Sequence, residues 1–124
     1  MKFYKNLCEA VIHSLAGIFL EERYADKEIE HALKQNPKWG ARDRHFIAET
    51  TYEMVRWWRL IKDSAKIHEV NDEQTIQKLF ITWCVINKQI PPEFYQFKDL
   101  SSQNIIDNYN NLKHIRKVRE SIPD

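Results

Sequence analysis

Residues 39–62 of the chain read WGARDRHFIAETTYEMVRWWRLIK, and this stretch decides the fold. Within it, apolar or half-polar residues recur at intervals of three and four, the spacing of an amphipathic helix that buries one side. The pattern predicts a central helix over about residues 41–66, with Gly40 as a permissive N-cap. The buried stripe consists of Ile47, Thr51, Met54, Val55, Trp58, Ile61 and Ala65.

The start of this helix carries two cations that its local sequence does not compensate. Arg42 and Arg44 lie in the first turn, where the helix macrodipole disfavours a cation by roughly a few tenths of a kcal/mol. Neither arginine has an acidic residue three or four positions away on the helix surface. We therefore expect both to find partners elsewhere, either carboxylates of neighbouring helices or phosphates.

A family pattern runs through the same stretch. It consists of Ala25-Asp26 and then Gly40-x-Arg42-Asp43-Arg44-x-x-Ile47-x-x-x-x-Tyr52-x-x-Val55-Arg56-Trp57. The order and spacing of these residues resemble the N-terminal NusB-like domain of Sun/RsmB-type rRNA cytosine-5 methyltransferases. The match is good for about forty residues and extends more loosely over the whole chain. Glu53 departs from the pattern, because the family commonly has glycine there.

Length and composition predict a single helical domain. The chain has 124 residues, 43% of them apolar, which suffices for one domain (1–124) with a core of its own. Only two glycines and four prolines interrupt it, so long helices are favoured over many short strands. Besides the central helix, the periodicity predicts helices over about residues 2–23, 27–35 and 73–88, a short turn of helix over 92–97 and a final helix after 101 or 102.

These elements make up an all-α bundle of five longer helices and one short helix around the central helix. The resemblance implies the same NusB-like fold. Asp26, Asp72 and either Ser101 or Ser102 are suited to be N-caps of their helices. Cys8 and Cys84 each lie on an apolar helix face, and we expect reduced core thiols there.

Charge neither identifies nor excludes a nucleic-acid partner. The formal net charge is only +1, so an RNA-binding hypothesis depends on how the basic residues are distributed. The densest run is Lys113-His114-x-Arg116-Lys117-x-Arg119, where a solvated helix end and a phosphate contact are equally good explanations. The residues expected to contact RNA phosphates are Arg42, Arg44, Arg59, Lys62, Lys113, Arg116 and Lys117.

Motifs of catalysis and of metal binding are missing from the sequence. It has no glycine-rich phosphate loop, no Gly-x-Ser-x-Gly elbow and no paired-cysteine box, and no two of its five histidines lie four positions apart. We expect no catalytic residue, no metal site and no cofactor in this chain. The resemblance implies that catalysis belongs to a separate C-terminal domain of the parent protein, in which a cysteine attacks cytosine and S-adenosylmethionine supplies the methyl group. The chain would then be the N-terminal piece of that protein.

Four tryptophans divide into two groups. Trp58 and Trp83 lie on predicted apolar stripes and are expected in the core. Trp39 and Trp57 lie off the stripes, where each can stack on a base or pack against a following domain, and we expect domain packing for Trp57 above all.

The N-terminus lacks the features of a signal peptide, and no apolar run approaches the roughly eighteen residues of a membrane span, so we expect a cytoplasmic protein. The function that the sequence favours is to bind structured rRNA and position it beside the catalytic methyltransferase domain. The alternatives are a NusB-related protein-interaction module of the transcription antitermination type, which the near-neutral charge favours, and a structural cap on a partner domain.

Overall fold

The computed structural model describes residues 2–119, with side chains up to residue 112. The regular structure of these residues is entirely α-helical, as the sequence predicts. The helices are α1 (Lys5–Phe19), α2 (Ala25–Lys34), α3 (Ala41–Arg56), α4 (Trp58–Ala65), α5 (Glu73–Ile86) and α6 (Ser102–Arg119). No helix in the described part of the chain is both long and apolar enough to cross a membrane.

The predicted central helix over 41–66 is in fact two helices. α3 ends at Arg56 and α4 begins at Trp58, while Trp57 between them leaves helical geometry with φ −104° and ψ 21°. After the break Leu60, which lies off the predicted stripe, is buried together with Ile61. Trp58 is buried too, and its ring stacks on that of Phe19 with centroids 3.9 Å apart.

The predicted short helix over 92–97 does not form. The chain makes two separate turns instead, closed by hydrogen bonds from Tyr95 N–H to the Pro92 carbonyl and from Leu100 N–H to the Phe97 carbonyl. The sixth helix of the fold therefore comes from the division at Trp57.

The ends of α1 and α2 differ from prediction. α1 spans Lys5–Phe19 and not 2–23, since Phe3 packs against other aromatic rings and Glu22 adopts a left-handed backbone with φ 56°. α2 begins at Ala25 after Tyr24, so Asp26 lies inside the helix and is not its N-cap. The Asp26 carboxylate accepts a hydrogen bond from the Tyr52 hydroxyl of α3.

The other predicted caps are confirmed. The Asp72 carboxylate accepts hydrogen bonds from the N–H and the hydroxyl of Thr75, at 2.8 and 2.7 Å. Ser101 Oγ accepts from the N–H of Asn104 at the start of α6.

An aromatic cluster around Phe80 forms the centre of the core. Phe80 is completely buried, and its ring centroid lies 5.8 Å from that of Phe3, 6.1 Å from that of Trp83 and 6.2 Å from that of Tyr95. These contacts join the N-terminal segment and the turns after α5 to the main cluster, which extends over α1, α3, α4 and α5. A smaller cluster of Leu7, Ala32 and Ile47 forms where the first three helices meet.

Both cysteines lie in the main cluster, as predicted. Cys8 and Cys84 are free thiols with no exposed surface. Burial raises the pKa of each thiol to about 12, so both stay protonated at neutral pH.

Replacing Phe80 should destabilise the fold more than replacing an exposed aromatic residue. Phe80→Ala leaves a cavity and removes three ring contacts, so we expect the free energy of unfolding to fall by about 3 to 5 kcal/mol in urea titration. Phe94→Ala is the matched control, because Phe94 is 38% exposed, and its cost should stay below about 1 kcal/mol. Equal losses in the two variants would contradict this description of the core.

The Asp72 cap should make stability depend on pH in a predictable direction. The hydrogen bonds from the hydroxyl and the N–H of Thr75 hold the pKa of Asp72 below its ordinary value of 3.8. The cap therefore stabilises the fold fully above pH 3.8 and loses its effect as the pH falls through the lowered pKa. In urea titrations, Asp72→Ala should lower the midpoint at pH 7 and match the wild type in strong acid. Glu69→Gln, an exposed control, should have the wild-type urea midpoint at every pH. A midpoint of Asp72→Ala that lies below the wild-type value by the same amount at every pH would contradict the prediction.

Candidate nucleic-acid interface

Phe3 positions two neighbouring side chains at the surface. Its half-buried ring contacts those of Phe46 and Phe80 edge-on, which fixes the segment before α1 against α3 and α5. Adjacent side chains of extended backbone point to opposite sides, and Tyr4 has extended dihedral angles. Lys2 and Tyr4 accordingly lie together on the exposed side of this segment, opposite the half-buried Phe3.

A groove of about 290 Å³ lies between the beginnings of α1 and α3. Its lining includes Lys2 and Tyr4 from the N-terminal segment and Arg42 and Asp43 from the first turn of α3. The N-cap of α1, Tyr4, makes no side-chain hydrogen bond to its helix, and the N-cap of α3, Gly40, has no side chain. The groove therefore lies near two helix N-termini whose first N–H groups and positive dipole ends favour an anion.

The charges and the aromatic ring in this groove suit a nucleic-acid backbone. Arg42 is exposed and forms no ion pair with the described residues, while Lys2 Nζ lies 5.4 Å from the centroid of the Tyr4 ring. Asp43 is half-buried in the groove and offsets one of the two positive charges. Tyr4 is 52% exposed and presents a flat surface on which a base can stack. The arrangement can hold one phosphate and one stacked base.

Arg44 is occupied by a structural contact. Its Nη1 donates a hydrogen bond to the carbonyl oxygen of Leu33 at 3.0 Å. Leu33 lies in the last turn of α2, where carbonyl groups lack helical partners and the dipole favours a cation. The partner is thus neither a carboxylate nor a phosphate but a backbone carbonyl, and the contact joins the start of α3 to the end of α2.

The remaining basic residues predicted to bind phosphate lie elsewhere. Arg59 and Lys62 are on α4, and the 16 residues of α3, about 24 Å of helix, separate that helix from the groove. α4 packs against α6, which carries Lys113, Arg116 and Lys117 in its second half. The side chains of these three residues lie outside the described part of the structure. The structure therefore places Arg42 and the α4 cations at opposite ends of α3.

The two tryptophans expected off the core are both half-buried. Trp39 packs against the small cluster of Leu7, Ala32 and Ile47, and its buried indole N–H has no hydrogen-bond partner among the described residues. Trp57 lies at the break between α3 and α4. The guanidinium carbon of Arg56 lies 5.6 Å from the centroid of the Trp57 ring.

Sequence reasoning missed Lys2 and Tyr4. The predicted first helix began at residue 2, which placed both on a helix surface and away from Arg42. The available signal was the alternation of basic and aromatic residues in Lys2-Phe3-Tyr4-Lys5, which is typical of nucleic-acid contacts.

No protein-family model, curated protein or solved structure matches this chain. The resemblance to NusB-like domains therefore stays a prediction. Among the described residues, no group of three histidine, cysteine or acidic side chains is arranged to hold a metal ion.

The different contacts of Arg42 and Arg44 lead to a stability prediction. Arg44→Ala removes a hydrogen bond to a helix-terminal carbonyl and should lower the free energy of unfolding by about 1 kcal/mol. Arg42→Ala changes an exposed side chain in the same helical turn and should change it by less than about 0.5 kcal/mol. Urea titration of both variants measures the difference, and a loss in Arg42→Ala as large as that in Arg44→Ala would contradict these assignments.

Proposed function

We propose that this chain binds the phosphate backbone of structured rRNA and positions it as the N-terminal domain of an S-adenosylmethionine-dependent rRNA cytosine-C5 methyltransferase in the cytoplasm. The observation that carries the RNA-binding proposal is the groove lined by Lys2, Tyr4, Arg42 and Asp43, close to the uncapped N-termini of α1 and α3. The resemblance of residues 25–57 supports rRNA as the target and a methyltransferase as the parent.

In this proposal one phosphate lies between the two helix N-termini. Lys2 and Arg42 neutralise its charge, free N–H groups of the first turns donate to its oxygens, and a neighbouring base stacks on Tyr4. Arg59, Lys62, Lys113, Arg116 and Lys117 would contact phosphates at the other end of α3. Such contacts recognise the shape and charge of RNA more than its base sequence.

Catalysis belongs to another domain of the proposed parent. That domain would hold S-adenosylmethionine and supply the cysteine that attacks the base, and it would be the partner against which Trp39 and Trp57 pack. Cys8 and Cys84 are poor nucleophiles here, because burial raises their pKa to about 12 and leaves no surface for a base to approach. This chain would contribute binding and orientation alone.

The proposal predicts how RNA affinity depends on salt. Fluorescence anisotropy with a labelled hairpin from rRNA should show binding that weakens between about 50 and 200 mM salt. The double variant Lys2→Gln/Arg42→Gln should weaken binding and reduce the slope of log K against log salt by about 2, because two phosphate contacts are lost.

The matched control is Lys27→Gln/Lys98→Gln, which removes the same charge from two exposed lysines outside the groove. It should leave the slope nearly unchanged. Equal effects of the two double variants would exclude the groove as the RNA site. Absence of binding even at low salt would contradict RNA binding altogether.

A NusB-related protein-interaction module or a structural cap is the second candidate function. The observation that favours it is the half-exposed Trp57, which shares a pocket with two further aromatic side chains. If the chain fails to bind RNA at low salt, this surface is the next to examine with a protein partner.

A further inference from the structure

A separate pocket of about 210 Å³ lies at the opposite end of α3 from the proposed RNA groove. It lies where α3 passes into α4, and residues of α5 and α6 complete its lining. Three half-exposed aromatic side chains, Trp57, Trp83 and Tyr109, line it. Leu60 and Ile61 also line it and are 8% and 1% exposed, so they form its apolar bottom.

Glu53 is the one charged residue among those lining this pocket. Its side chain is half-exposed, and no described residue forms a hydrogen bond or an ion pair with its carboxylate, not even Arg56 three positions later. Glu53 also lies near the C-terminal end of α3, where the helix dipole is negative and disfavours an acidic residue. An uncompensated carboxylate at such a position is suited to receive a cation from outside the chain.

Aromatic rings and a carboxylate together form the environment that organic cations prefer. The faces of tryptophan and tyrosine rings attract a cation, most strongly where water is displaced, and a carboxylate supplies the opposite charge. The apolar bottom is compatible with methyl groups or with the flat face of a guanidinium. The guanidinium carbon of Arg56 lies 5.6 Å from the centroid of the Trp57 ring, although Arg56 is not among the residues that line the pocket.

We infer that the pocket formed by Glu53, Trp57, Trp83 and Tyr109 binds an organic cation, either a methylated ammonium or a guanidinium group. The group could belong to a small molecule or to the side chain of a protein partner. Because this site and the groove lie at different ends of α3, the loss of cation binding should leave phosphate binding in the groove unchanged.

NMR of the ¹⁵N-labelled chain tests the inference with four indole N–H signals. Choline should shift the signals of Trp57 and Trp83 and leave those of Trp39 and Trp58, which lie outside the pocket. Its neutral isostere 3,3-dimethylbutan-1-ol should bind about tenfold more weakly, because it lacks the charge. Acetyl-arginine amide distinguishes the two kinds of cation: stronger binding than choline supports a guanidinium group, and weaker binding supports a methylated ammonium.

Glu53→Gln should weaken choline binding about tenfold without changing side-chain size appreciably. The control is Glu49→Gln, one turn earlier on α3 and outside the pocket, which should bind as the wild type does. Equal affinity for choline and its isostere, failure of both cations to bind, or equal effects of the two variants would overturn the inference.

Discussion

The packing of Phe80 against three aromatic rings is the interaction on which the rest of this structure depends. It joins α5 to the N-terminal segment through Phe3 and to the turns after the two prolines through Tyr95. Dispersion and the burial of apolar surface stabilise this packing, and no directional bond is needed. The contact with Phe3 has a second consequence, because it holds Lys2 and Tyr4 at the start of α3. The core therefore also determines the geometry of the proposed RNA groove.

α3 connects the two proposed sites and explains their opposite character. At its N-terminus, free N–H groups and the positive dipole end lie beside Arg42, a residue that the dipole disfavours. At its C-terminus, the negative dipole end lies near Glu53, which the dipole also disfavours. Neither charge is paired with a described residue. Two departures from local preference at the ends of one helix thus support the proposed anion site and the proposed cation site.

Local signals made much of this fold predictable, and tertiary contacts account for the rest. Helical periodicity gave the all-α class, and Asp72 caps α5 as its residue type suggests, because both depend on neighbours within a few positions. No glycine or proline lies near the break at Trp57, so the local sequence does not predict it. Arg44 bonds a carbonyl eleven positions away, and Tyr4 reaches the groove only through the packing of Phe3. The spacing of apolar and polar residues along the sequence does not predict contacts of this kind.

The central claim is that RNA phosphate lies between the N-termini of α1 and α3. The most direct test is an NMR titration of the ¹⁵N-labelled chain with an rRNA hairpin, following each backbone amide. The account predicts that the largest shifts occur at the first-turn amides of the two helices, from Lys5 and Asn6 in α1 and from Ala41 and Arg42 in α3. Largest shifts confined to α4 and α6, or no shifts at low salt, would contradict it.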